Sequence, residues 1–102
     1  MVEVNLAGNQ LTGTLPQELG DRFDHLTIDI SGNYIVGIPT SLCKKDSWME
    51  GEVTFYGCDA IACPEGTYAE PLGRATRYLG DCQFCPTLIL SSRYIGNTAC
   101  PA

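Results

Sequence analysis

VNLAGNQLTGTLP at residues 4–16 returns as IDISGNYIVGIP at residues 28–39. The offset is 24 residues from Val4/Ile28 to Gly13/Gly37 and drops to 23 at Leu15-Pro16/Ile38-Pro39. A period of this length belongs to stacked supersecondary units, each of which leaves an apolar face for its neighbour to cover. In Val4-Asn5-Leu6 and Ile28-Asp29-Ile30 apolar and polar residues alternate, so a short strand turns one face to a core and one to solvent. Asn9 and Asn33 come three residues after the last apolar strand position, where the chain bends inward. A buried Asn there can bond the backbone groups that the bend leaves unpaired, and the same Asn in adjacent copies forms a ladder. Gly13 and Gly37 suit a turn needing positive φ or close backbone approach, and Pro16 and Pro39 stop further strand pairing.

The pattern resembles the LxLxxNxLxGxxP motif of the plant-type leucine-rich repeat, with Leu19 and Leu42 at the apolar position three residues past each proline. The resemblance covers about the first 42 residues. It implies a curved solenoid with a strand ladder on its concave side, used to bind proteins, peptides or glycans. Two rungs are expected in residues 1–42, with Gly20 to His25 as a polar link. Alternation puts Glu3, Asn5 and Ala7 beside Thr27, Asp29 and Ser31 on the concave face, a small, polar, acidic ligand surface. Asp29→Ala is expected to leave folding nearly unaltered.

With 102 residues, the chain is too short to bury more than about two-thirds of its unfolded surface. Six cysteines supply covalent help and point to an oxidising compartment, extracellular or an organelle lumen. A net charge of −6 disfavours nucleic acid and anionic membranes. No apolar run approaches the ~18 residues of a membrane helix. Met1 is followed at once by a repeat, so a secreted native chain is expected to extend N-terminally, with a signal peptide and more repeats. No Asn-x-Ser/Thr occurs, and no N-glycan is expected.

From Cys43 the composition changes. Residues 43–57 read as a C-terminal cap in which Val53-Thr54-Phe55-Tyr56 forms a short strand closed by Gly57. Trp48, Phe55 and Tyr56 are the large side chains available to cover the open apolar face. Residues 58–102 read as a cysteine-rich disulfide module. CPEGTY followed by CxxCP is similar to small cysteine-rich modules of extracellular receptors. The repeat, the IPTSLC cap and YGCDAIACPEGTY together resemble the secreted repeat proteins of diatoms and related algae. The fold class is thus mainly β and loops, a two-rung solenoid followed by a disulfide-rich module.

Spacing alone leaves 15 pairings for six cysteines. Cys43 is placed to close onto Cys58, and the turn-module resemblance implies Cys63–Cys82 and Cys85–Cys100. Cys58-x4-Cys63 and Cys82-x2-Cys85 also approach a zinc-ribbon layout, but that leaves Cys43 and Cys100 over and has no nearby His. A redox role for Cys82-Gln-Phe-Cys85 lacks a thioredoxin-like context.

His25 beside Asp24 has no nucleophile motif near it, and the phosphate-loop, dinucleotide and calcium signatures are missing, so no enzyme, metal or cofactor is expected. Arg74, Arg77 and Arg93 read as solvated loop charges. The expected function is a recognition module at the C-terminal end of a secreted repeat protein, with a protein or glycan partner. The alternative is an accessory structural subunit in an oxidising lumen, such as the thylakoid lumen. Either way, the outer edge at Val2, Val4, Leu6 and Leu11 has no strand partner and is expected to dock further repeats or another subunit.

Overall fold

A computed structural model describes residues 2–85 and 94–99. Strand β1 (Val2–Asn5) pairs in parallel with β3 (Leu26–Asp29), in the register Glu3↔Thr27 and Asn5↔Asp29. Strand β2 (Thr12–Thr14) pairs in parallel with β4 (Tyr34–Gly37). Across this second pair Gly13 stands opposite Ile35, and Thr14 opposite Gly37, with a register shift between them. Gly13 and Gly37, equivalent in sequence, are therefore not lateral partners. The shift coincides with the residue missing from the Gly37-Ile38-Pro39 turn. The two glycines also serve different needs. Gly13 has φ +82°, whereas a side chain at Gly37 would press on the Thr14 methyl at 3.2 Å.

Asn33 ties the copies together. Its Oδ1 accepts the N–H groups of Asn9 (3.1 Å) and Leu11 (2.9 Å), and its Nδ2 donates to the Leu6 (2.8 Å), Ile30 (3.0 Å) and Ser31 (3.3 Å) carbonyls. Asn9 repeats the local half of this pattern, donating to the Leu6 (2.8 Å) and Ala7 (3.2 Å) carbonyls. Between the strands, a short helix, α1 (Glu18–Arg22), takes in the first three residues of the Gly20 to His25 link.

The segment after Pro39 closes the far side of the second copy. Trp48 is fully buried and donates its indole N–H to the Phe23 carbonyl at 2.9 Å, so its polar tip is satisfied inside the core. Beside it Met49, also buried, accepts the Ile28 N–H on its sulfur at 3.3 Å, on the side of β3 away from β1. Residues 94–97 close β4 in the same sense, the Ile95 N–H donating to the Ile35 carbonyl at 2.9 Å. Leu15, Leu26, Ile28, Ile30, Ile35, Leu42, Trp48, Val53, Ile61 and Ile95 belong to one buried cluster, drawn from the repeats and everything after them.

Val53–Tyr56 is not a strand. Glu52–Tyr56 forms helix α2, opened by Gly51 (φ 85°) and ended by Gly57 (φ 60°). Glu52 and Val53 are buried and Tyr56 packs against the core, while Thr54 and Phe55 face out. A strand would have put Val53 and Phe55 on one face. β-Branched and aromatic propensity yields here to the demand for a helical burial period. Phe55, at 69% exposed, therefore does not cover the apolar face, and Met49 joins Trp48 and Tyr56 in doing so.

Cys43 is bonded to Cys58, and Cys63 to Cys82. These bonds use three of the four sulfurs that a zinc ribbon would need. Cys85 has no free thiol, and the Cys85–Cys100 pairing lies outside the described residues, as does Arg93. Strands β5 (Thr67–Tyr68) and β6 (Gln83–Phe84) form a small antiparallel pair. Gly73 joins this module to the repeats: a side chain there would meet the Gly96 carbonyl oxygen at 2.5 Å and the Ser31 Cβ at 3.1 Å. Only glycine permits that approach, at φ +70°. Among the described residues no helix is long and apolar enough to cross a membrane.

Candidate functional site

Parallel pairing in register sets Glu3 beside Thr27 and Asn5 beside Asp29, and these four residues form one wall of a groove of about 410 Å³. Val4 and Ile28 contribute to its lining between them. Glu50, Leu72 and Arg74, from beyond the repeats, supply the rest of the lining and form its second wall. Glu3, Asn5 and Glu50 are exposed, and Thr27, Asp29 and Arg74 are half-buried. The structure thus brings together four of the six residues expected on the concave face.

The other two lie elsewhere. Ala7 sits in the turn after β1, outside the groove lining. Ser31 is buried, held by Asp29, whose Oδ1 accepts both its N–H (2.9 Å) and its hydroxyl (2.7 Å), and Gly73 packs against it. That turn gives Asp29 a structural task, which corrects the expectation that Asp29→Ala would leave folding nearly unaltered. Removing an acceptor of two such bonds costs about 1–2 kcal/mol.

Sequence reasoning missed the second wall because two of its features are not periodic. Met49 (φ 57°, ψ 41°) and Glu50 (φ 59°, ψ 33°) are consecutive left-handed residues, followed by Gly51 at φ 85°. For non-glycine residues this conformation costs roughly 1–2 kcal/mol each. Burial of Met49 and its bond to Ile28 hold the turn in place, and the turn carries Glu50 to the groove. Leu72 and Arg74 flank Gly73, the glycine that lets the module close on Ser31.

The groove continues. Glu50, Leu72 and Arg74 also line a second hollow of about 160 Å³, completed by Met49, Glu52, Thr76, Tyr78 and Leu79. Residues 76–80 form a tight loop there, closed by Gly80 N–H to Thr76 carbonyl (2.7 Å) and Thr76 N–H to Gly80 carbonyl (3.3 Å). Leu79 N–H donates to the Thr76 hydroxyl at 2.9 Å. Arg77 does not read as a free charge: its N–H (3.1 Å) and Nε (3.0 Å) both donate to the buried Glu52 carboxylate, and its guanidinium lies over the Phe55 ring at 5.4 Å. Tyr78, 87% exposed, and Leu79 are left pointing outward.

A third hollow, apolar and about 340 Å³, lies among the apolar residues of the first copy and reaches Leu26, Ile28 and Ile35 of the second. Val4, Leu6 and Leu11 line it with Leu15 and Leu19. Val2 belongs to the same edge through the backbone of β1.

Among the described residues no His, Cys, Asp and Glu side chains gather to hold a metal ion. Asp59 has its carboxyl pushed above the usual range by burial and then by the Asp81 charge, but it lies in the Gly57–Ala60 turn, away from the groove lining.

The Leucine Rich Repeat family model matches residues 1–21, which hold β1, β2 and most of α1. No curated protein and no solved structure matches the chain. The match supports a leucine-rich repeat protein, a class whose repeats generally act as non-enzymatic protein-interaction modules. The Cys43–Cys58 and Cys63–Cys82 disulfides are compatible with an oxidising environment.

Proposed function

We propose that the chain is a non-enzymatic recognition module, the C-terminal end of a secreted or cell-surface repeat protein. The two copies act as the last rungs of a plant-type solenoid, residues 43–57 as its cap, and residues 58–102 as a disulfide module that walls one side of the ligand face. The in-register stacking of Glu3 on Thr27 and Asn5 on Asp29 carries this reading, because it makes a row of polar side chains beside a second wall. The partner is a protein or a glycan. A photoreactive residue at Asn5, with Thr54 as the control position, is expected to crosslink one partner from Asn5 alone. Equal crosslinking from both positions, or none from Asn5, would overturn it.

A second reading, an accessory structural subunit docked through its N-terminal edge in an oxidising lumen, is favoured by the open apolar hollow at Val4, Leu6 and Leu11. Docking there would extend the strand pairing of β1 and β2 to further repeats or to another subunit. Size exclusion of native material separates the two readings. A stoichiometric companion chain lost on Leu11→Glu supports the subunit, and a chain that elutes alone supports the recognition module.

A further inference from the structure

We infer that the ligand of this protein is an extended cationic peptide segment that runs from the strand face to the Tyr78–Leu79 loop, with an apolar side chain anchored there. The inference rests on the recognition role proposed above and adds the second wall, the anchor and the class of partner. The two hollows share Glu50, Leu72 and Arg74, so they form one path from Glu3 and Asn5 to Tyr78. An object long in one direction suits such a path, and an extended chain advances about 3.3 Å per residue with side chains alternating between its two sides.

Charge fixes the sign of that object. Three acidic residues, Glu3, Asp29 and Glu50, and one basic residue, Arg74, line the groove, in a chain whose net charge is −6. Potentials of this kind attract basic segments and repel anionic ones. The far end adds an anchor for an apolar side chain. Leu72, Leu79 and the Tyr78 ring bring apolar surface there, beside the polar Glu50, Glu52, Arg74 and Thr76. Such apolar surface seats apolar side chains and concentrates binding energy.

The anchor is also preorganised. The loop is closed by its own Thr76–Gly80 hydrogen bonds and pinned by Arg77 to a Glu52 carboxylate that is itself buried. A ligand meeting Tyr78 and Leu79 therefore has little loop ordering to do, which raises affinity for a given contact area. Tyr78, at 87% exposure, is open to a ligand.

Calorimetric titration of the full chain tests this, using a synthetic peptide of alternating lysine and leucine, its glutamate-leucine counterpart, and a β-1,4-linked glucose oligosaccharide. The basic peptide is expected to bind one to one. Tyr78→Ala should weaken it by about tenfold and Glu50→Gln by about threefold, the latter loss shrinking at high salt. Unchanged thermal midpoints establish that both variants fold. No saturable binding of the basic peptide, or equal binding of the acidic one, overturns the inference. So does tighter binding of the oligosaccharide. If Asn5→Ala weakens binding while Tyr78→Ala and Glu50→Gln do not, the second wall is refuted and recognition on the strand face stands. If none of the three variants matters, both fall together.

Discussion

Leu11 and Ile35 hold the same place in the two copies of the repeat, yet Leu11 is 38% exposed and Ile35 only 2%. The contrast runs through the copies: Val4 and Leu6 are half-buried where Ile28 and Ile30 are sealed, and Asn9 is exposed where Asn33 is buried. The second copy is covered on one side by the first and on the other by Trp48, Met49 and Ile95. Among the described residues, the first is covered on one side only. Equal sequence thus carries unequal energy, because a stacked unit draws its burial from its neighbours.

The sharpest way to break the contrast is to open the closed side. Trp48→Ala removes a fully buried ring and leaves the Phe23 carbonyl unpaired, and is expected to cost about 3–5 kcal/mol, measured as a fall in the urea midpoint at constant slope. Next come the matched apolar positions. Ile35→Ala should lose about 2–4 kcal/mol and Leu11→Ala under about 1 kcal/mol, and equal losses would mean that the open edge is covered in solution. The Asn pair follows. Asn33→Ala strands the N–H groups of Asn9 and Leu11 and is expected to cost about 2 kcal/mol. Asn9→Ala gives up only local bonds and is expected to cost about 0.5 kcal/mol.

The smallest effect concerns Asp59, in the closing segment. Burial and the Asp81 charge raise its folded pKa above the unfolded value, so the protonated form is the one that folding favours. Its contribution to stability is present below the unfolded pKa and is lost as pH rises through the folded pKa. Asp59→Asn should therefore match the native chain at low pH and become the more stable of the two as pH rises toward neutrality. Urea midpoints of both proteins across the acid range check this, and a gap that opens in the acidic direction would contradict it.

The alternation of Val4-Asn5-Leu6 and Ile28-Asp29-Ile30, and the bonding need at Asn9 and Asn33, are legible in the sequence because each is a local, periodic consequence of a strand followed by a bend. The closing side is not. A methionine sulfur capping the Ile28 N–H, a left-handed Met49-Glu50 pair and a helix made from Val53-Thr54-Phe55-Tyr56 are all decided by partners far along the chain. The groove is half readable for the same reason. Glu3, Asn5, Thr27 and Asp29 follow from alternation, whereas Glu50, Leu72 and Arg74 depend on where Gly73 meets Ser31 and Gly96. Ser31 itself reads as a surface position by alternation and is covered by that contact.

The bond from Ile95 to Ile35 also sets a schedule for a ribosome-bound chain. Synthesis delivers both repeats before the edge of β4 acquires its partner, which comes only when residues 94–97 emerge, and the Gly96 N–H then also reaches the Cys63 carbonyl at 2.8 Å. Until that moment the repeats are an unfinished stack with apolar surface showing. Pairings so distant along the chain form late and slowly. A nascent chain therefore needs protection from self-association until residues 94–97 have emerged, and chains truncated before Tyr94 are expected to be retained by chaperones.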